Sequence, residues 1–137
     1  MADLADGLAR VLDDTGLLTY DPTALSGDTF IGTMPAAPDE AVALTLYDAG
    51  PTEARDDAVD QRLQVRVRGG RDPRISERRA RAIYEALHGL TDVELADGTF
   101  LILIAARGLP APMGVDSNRR HEHVVNFDVA SASPITP

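Results

Sequence analysis

Apolar residues recur every three or four positions in two segments of the chain, which is the spacing of a helix with one buried face. In the first segment these residues are Leu4, Leu8, Val11 and Leu12. In the second they are Ile75, Ala80, Ile83, Tyr84 and Leu87. Asp72 and Pro73 provide an N-cap and a first-turn proline, while Gly16 and Gly89 provide C-terminal stops. The pattern therefore predicts one helix that ends near Gly16 and a second between Asp72 and Gly89.

Alternating apolar and polar residues predict strands at 29–33, 41–47, 61–68, 99–107 and 122–130. The alternation is clearest in the third of these segments. There one face carries Leu63, Val65 and Val67, and the other carries Arg62, Gln64, Arg66 and Arg68. Val93 and Leu95 begin a further strand, which Asp97-Gly98 joins to the next one as a hairpin turn. We expect the returning strand at 99–107 to be the most buried segment.

The order of elements predicts an α+β fold, because strands and helices do not alternate regularly along the chain. We expect a mixed or antiparallel sheet of about four to six strands, with both helices packed on one face. Residues 1–130 form a single domain in this interpretation, and residues 131–137 form a flexible C-terminal tail. The segments 50–60 and 108–120 are interpreted as surface loops.

Composition narrows the function classes. The chain has 137 residues and no cysteine, which excludes disulfides and thiolate metal sites. Its net charge of -9 disfavours bulk attraction to nucleic acid or to an anionic membrane. No apolar run approaches the roughly 20 residues of a membrane helix, and no signal peptide is visible. We therefore expect a domain that does not bind membranes.

Two histidines suggest a metal site. His121 and His123 lie two residues apart in the last predicted strand and so point to the same side. Asp116 or Asp128 would have to supply a third ligand. The alternative is a polar, solvent-facing start of a strand. Ser117 lacks the strained turn of a hydrolase nucleophile, so we interpret its segment as a surface loop with turn chemistry. Because neither motif indicates a complete site, we predict no catalytic residue, no cofactor, no metal and no enzyme.

Arginine rows are the most informative polar feature. All 13 basic residues are arginine, whose planar group forms paired hydrogen bonds with carboxylates. Candidate residues for a subunit or partner interface are Arg62, Arg66, Arg68, Asp116, Arg119 and Arg120. A solvated face with weak local ion pairs is the alternative, and contact with DNA is a third. The sequence leaves these readings open.

Several segments together resemble a known family. These are the arginine strand at 63–69, the helical run at 82–87, the Pro- and Gly-containing loop at 108–120 and the strand at 121–127. In this order, with an amphipathic N-terminal helix, they resemble the tail terminator proteins of long-tailed bacteriophages, which are also labelled minor capsid or tail completion proteins. The resemblance covers nearly the whole chain and is best from about residue 60 to 129.

The resemblance implies a structural role in the virion neck. Tail terminators form a hexameric ring at the head-proximal end of the tail tube, end tube polymerisation and join the head-completion (stopper) protein. Genomic DNA passes through the lumen without sequence-specific binding. The implied location is the virion, after assembly in the host cytoplasm. The alternatives are a stopper or tail tube protein, a small metal-dependent enzyme using His121 and His123, and a generic acidic binding module.

Overall fold

The computed structural model describes residues 3–49, 58–96 and 98–132, which form two helices and seven strands. Their bounds are α1 (Leu4–Asp14), β1 (Thr29–Ile31), β2 (Ala41–Asp48), β3 (Ala58–Arg68), α2 (Pro73–Leu87), β4 (Leu90–Glu94), β5 (Phe100–Ala106), β6 (Ala111–Val115) and β7 (His121–Ala132). Neither helix in these residues has the length and apolar character needed to cross a membrane.

The first helix forms as its apolar spacing predicts. Asp3 caps it by accepting a hydrogen bond from the backbone N–H of Asp6 at 3.2 Å. Leu8 and Leu12 on its inner face are fully buried. Gly7 lies against Leu95, and a Cβ at this position would come within 2.9 Å of the leucine side chain. The glycine therefore allows α1 to pack closely on the segment between β4 and β5.

One mixed sheet organises the molecule, with strand order β1-β2-β3-β7-β5-β4. β1 and β2 are parallel, and every other pairing is antiparallel. The twelve-residue β7 is the centre of the sheet. One edge of β7 pairs with β3 over eleven residues. Its other edge pairs with β5 along the C-terminal half of β7 and with β6 along the N-terminal half. The α+β class is confirmed, and the sheet has seven strands rather than the expected four to six.

The core lies between the helices and one face of this sheet. Val65 is paired with Val125, and Leu63 with Phe127, so their side chains point to the same face. These four residues are at most 1% exposed and belong to the same cluster as the buried residues of both helices. The expectation that both helices cover one face is confirmed, and the other sheet face has no helix over it in the described residues.

Several boundaries differ from the sequence-based expectations. The predicted loop at 108–120 contains β6, and β3 begins at Ala58 instead of residue 61. β7 continues to Ala132, two residues past the predicted domain boundary; the remaining tail at 133–137 and the loop residues 50–57 lie outside the described part. The hairpin between β4 and β5 is confirmed, although its Asp97 is also outside the described residues.

The segment at 99–107 is not the most buried one, contrary to the prediction. Phe100 and Leu103 are 39% and 41% exposed. Phe100 pairs with Ala132 and Leu103 with Ala130, both on the sheet face that the helices leave uncovered. An apolar strand in a one-sided sheet therefore buries only the side chains that face the helices.

Candidate assembly surface

Arginines and carboxylates pair with one another across the uncovered sheet face. Arg66 Nη2 lies 2.7 Å from Glu122 Oε1. Asp128 Oδ1 lies 3.1 Å from Arg107 Nη1 and 3.8 Å from Arg62 Nε. Arg66 is partly buried, whereas the Arg62 side chain is 51% exposed and its ion pair is long. Arg62 is therefore available to a partner, while Arg66 is held inside the subunit.

Arg68 does not join this row at the surface. It is only 4% exposed, and its guanidinium donates to the backbone carbonyls of Pro38 at 2.5 Å and Asp39 at 3.0 Å. Burial lowers the pKa of Arg68, and the nearby positive charge of Arg120 lowers it further. The last arginine of β3 thus fastens the segment before β2 to the sheet through these two hydrogen bonds.

Asp116 and Arg120 form a closed turn before β7. Asp116 Oδ1 accepts from the backbone N–H groups of Asn118 and Arg120, both at 2.9 Å. Its Oδ2 accepts from Arg120 Nε at 2.7 Å. These hydrogen bonds lower the pKa of Asp116, and the bond from the Arg120 backbone contributes most. Arg120 Nη1 also donates to Ala36 O at 2.6 Å and approaches Asp39 Oδ1 at 3.2 Å.

The six predicted interface residues therefore separate into two groups. Arg68 and Arg120 donate to carbonyl groups of the segment 36–39, and Asp116 accepts from Arg120. Together with Arg66, which pairs with Glu122, they make their contacts within the chain. Arg119 is exposed in the turn, with a φ of +62°, and it borders an open polar pocket of about 700 Å³ together with Arg71. Of the six, Arg62 and Arg119 are the most accessible to another molecule.

Exposed apolar side chains lie on the uncovered face and around β6. Tyr47, Phe100 and Leu103 lie on the sheet side away from the helices. Leu109, Met113 and Val115 are exposed in β6 and the residues just before it. An open pocket of about 600 Å³ is lined by one member of each set, Tyr47 and Leu109, and by residues that include Arg62, Arg107 and Val124. Clustered apolar exposure of this kind is typical of an interaction surface.

The histidine pair does not form a metal site in the described residues. His123 is 6% exposed, and its Nδ1 lies 2.7 Å from Ser76 Oγ on α2. The described part of the chain contains no group of three or more metal-ligating side chains. The prediction of a solvent-facing strand start is wrong at His123, because β7 is central and α2 packs over it. Ser76 had been missed because a serine within an apolar stripe gives no sequence signal.

The segment 36–39 and β6 were also missed. Three backbone carbonyls and one carboxylate of the segment 36–39 accept hydrogen bonds from Arg68 and Arg120, and this segment has no apolar periodicity. β6 contains Pro112 and Gly114, residues that disfavour strands. Only its edge position accommodates them, and a sequence pattern does not reveal which strand is at an edge.

These features define a class: a small α+β domain whose helices cover one face of a mixed sheet and whose other face carries paired arginines beside exposed apolar side chains. The chain belongs to the bacteriophage tail terminator family, described as "Bacteriophage tail terminator protein", whose model matches residues 11–131. The family is one of structural tail proteins and not a known enzyme family. Membership of this family supports a structural role of the chain in the phage tail and a location in the virion.

Comparison with solved structures shows that another virion chain has the same fold. No curated protein matches the sequence. A chain in the solved "Virion of native gene transfer agent (GTA) particle" is 17% identical, with a TM-score of 0.62 over 95% of both chains. A second solved chain is 14% identical over 98% of this chain and 99% of its own, with a TM-score of 0.48. At such identities the first match establishes a shared fold over nearly the whole length.

Proposed function

We propose that the chain forms a hexameric ring at the head-proximal end of the phage tail tube. There it ends polymerisation of the tube protein and joins the tail to the head-completion (stopper) protein. The observation that carries this proposal is the uncovered sheet face, because a two-layer domain with an exposed apolar face is suited to association with other chains. Membership of the tail terminator family supports the same role.

The uncovered face and β6 carry the proposed contacts with other virion components. Six of the nine large apolar side chains that are exposed in the described residues lie on this face, in β6 or just before it. Arg62 and Arg119 are the accessible charged residues that we assign to subunit or partner contacts. Arg66, Arg68, Asp116 and Arg120 shape the surface from within the subunit instead. The contacts are thus apolar with a polar border, as in most protein interfaces.

Passage of DNA is the mechanical part of the proposal. Six copies at -9 each carry a charge of -54 before ions bind. A lumen lined by such subunits repels the phosphate backbone, so genomic DNA slides through without sequence-specific binding. The role requires no cofactor or catalytic residue, and assembly takes place in the host cytoplasm before the ring enters the virion.

Electron microscopy of the purified chain, alone and with purified tail tubes and tube protein, tests the proposal. We expect six-fold rings with an open centre, and tubes that carry one ring at an end and no longer elongate. Long tubes formed by the chain alone would identify a tube protein, and monomers that leave tube growth unchanged would refute the terminator role.

A pair of matched variants tests the assigned surface in the same assay. Leu103→Asp places a charge on the uncovered face, whereas Leu25→Asp places one on a leucine that is 89% exposed in the loop before β1. We expect L103D to lose ring formation or tube capping and L25D to retain both. Equal behaviour of the two folded variants would contradict the assignment of this face.

A further inference from the structure

An open polar pocket of about 700 Å³ lies at the end of the sheet where β3 finishes and β7 begins. Residues from three segments line it, at 36–39, 70–71 and 117–120. We call it the arginine pocket. Its volume is within the range of about 300 to 1,000 Å³ that is usual for binding pockets. It shares no lining residue with the pocket on the uncovered sheet face, so it is a separate site.

Hydrogen bonds within the subunit hold the walls of the arginine pocket. The backbone N–H of Gly69 donates to His121 O at 2.9 Å, and the N–H of His121 donates to Gly70 O at 3.0 Å. The bonds described above close the turn at 116–120 and join it to the segment 36–39. Because the walls are already ordered, a group that enters the pocket loses little free energy to their ordering.

Two arginines of this pocket have no partner in the described residues. Arg71 and Arg119 are exposed, and the side chain of neither forms an ion pair or a hydrogen bond there. The third arginine of the pocket, Arg120, already contacts the carboxylates of Asp116 and Asp39. The pocket therefore has two guanidinium groups available for a ligand from outside the subunit.

The charge of the arginine pocket is opposite to that of the chain. Three arginines and one aspartate line it, which is a charge of +2. The whole chain carries -9, so the residues outside the lining carry -11. The surface of a second copy is thus acidic on average, and its carboxylates are attracted to the pocket. The same acidic surroundings repel the phosphates of DNA.

Local structure does not require an arginine at position 119. The φ of Arg119 is +62°, in the left-handed region that glycine and asparagine adopt more easily than other residues. The hydrogen bonds of the turn come from backbone groups and from the Asp116 and Arg120 side chains. The Arg119 side chain contributes to none of them, so contact with another molecule provides a reason for it.

We propose that the arginine pocket of one copy receives carboxylate side chains of the next copy in the ring. This inference rests on the proposed ring and names one of the surfaces that form it. Arg71 and Arg119 suit the contact because the planar group of arginine binds carboxylates through paired hydrogen bonds. A pocket that meets a different surface of its neighbour makes a head-to-tail contact, which closes into a ring when the rotation fits.

Charge reversal in the pocket, with a matched control on α2, tests the contact. R71E/R119E reverses the two pocket arginines. R78E/R81E reverses two arginines that also have no ion pair in the described residues but lie outside the pocket. Both variants change the net charge equally, so general repulsion between subunits is the same. In native mass spectrometry, R71E/R119E is expected to associate at least about tenfold more weakly than R78E/R81E.

Cross-linking tests whether a carboxylate of another copy occupies the pocket. The chain has no lysine, so one introduced lysine provides a single side-chain amine. R119K keeps the positive charge, and a carbodiimide couples its amine to a carboxylate in direct contact. Rings assembled from equal amounts of unlabelled and nitrogen-15-labelled R119K chains are expected to yield cross-linked peptides with one half of each label. R78K is the control and is expected to yield none.

The remaining outcomes distinguish this inference from the proposed function. Equal association of R71E/R119E and R78E/R81E would overturn the contact and leave the terminator role intact, and so would R119K cross-links confined to single chains. If R71E/R119E does not fold by circular dichroism, R71A/R119A is compared with R78A/R81A instead. Intact R71E/R119E rings that no longer bind a 30-base-pair duplex would assign the pocket to DNA and overturn the inference. A wild-type chain that stays monomeric with and without tail tubes would overturn the ring itself, and this contact with it.

Discussion

Replacement of Arg68 by methionine is expected to destabilise the fold, because this arginine holds the segment before β2. Methionine retains an unbranched apolar stem but removes the two hydrogen bonds to the carbonyls of Pro38 and Asp39. Hydrogen bonds from a charged group contribute about 1.5 to 3 kcal/mol each to stability. The variant also avoids the cost of removing a charged group from water, which offsets part of this loss. The net loss in the free energy of unfolding is about 3 kcal/mol.

The expected change in melting temperature follows from chain length. Unfolding entropy of about 2.1 cal/mol/K per residue gives about 0.3 kcal/mol/K for a chain of this size. A loss of about 3 kcal/mol therefore lowers Tm by about 10 °C. Thermal unfolding followed by circular dichroism, with urea unfolding at 25 °C as a second measurement, provides the assay.

Arg62→Met is the matched control, since Arg62 lies on the same strand and its only ion pair in the described residues spans 3.8 Å. An exposed pair of this kind contributes less than about 0.5 kcal/mol, so R62M should lower Tm by under about 2 °C. Equal effects of R68M and R62M on the free energy of unfolding would refute the distinction between a buried anchor and a surface arginine. If R68M keeps the stability of the wild type but no longer forms rings, Arg68 acts as an interface residue, as the sequence predicted.

Three further perturbations test the core, the buried histidine and a surface turn. Phe127→Ala empties a fully buried position on β7 and is expected to cost about 3 to 5 kcal/mol in urea unfolding; a loss below 1 kcal/mol would mean that the core rearranges to fill the space. Ser76→Ala leaves His123 Nδ1 without its partner and should cost about 1 to 2 kcal/mol by the same measurement, so an unchanged midpoint would place water or another donor there. Hydrogen bonds from Thr23, and then Ser26, lower the pKa of Asp21 to about 2. Because this folded-state pKa lies below the unfolded value, the stabilisation is present above about pH 4 and disappears as pH falls towards 2. Asp21→Asn should therefore reduce the fall in Tm between pH 5 and pH 2, and identical pH profiles would contradict the role of these bonds.

Local patterns predicted the regular elements well. The apolar spacing in α1 and α2 and the alternation in β3 each depend on neighbours within a few residues, and each is confirmed. The side of the sheet that the helices cover followed from the same alternation, since a strand with apolar residues on one face needs only one covering layer. Similarity to the tail terminator family was also evident from the order of these segments and is confirmed.

Patterns were less informative where a residue's role depends on distant partners. The alternation of β3 placed Arg62, Arg66 and Arg68 on one face, but it could not distinguish their burial. Arg68 is covered because residues 38 and 39, thirty positions earlier, cross its strand end. His123 is buried because α2 crosses β7. Each outcome depends on which segments become neighbours in space.

The sequence by itself determined the two helices, most strands, the α+β class, the acidic net charge and the family resemblance, because these depend on local spacing, composition and segment order. Tertiary structure alone decided that β7 is central, that β6 is an edge strand and that the arginines of β3 find partners within the subunit. The physical reason is that burial and charge pairing are properties of surfaces assembled from distant segments, which no local pattern encodes.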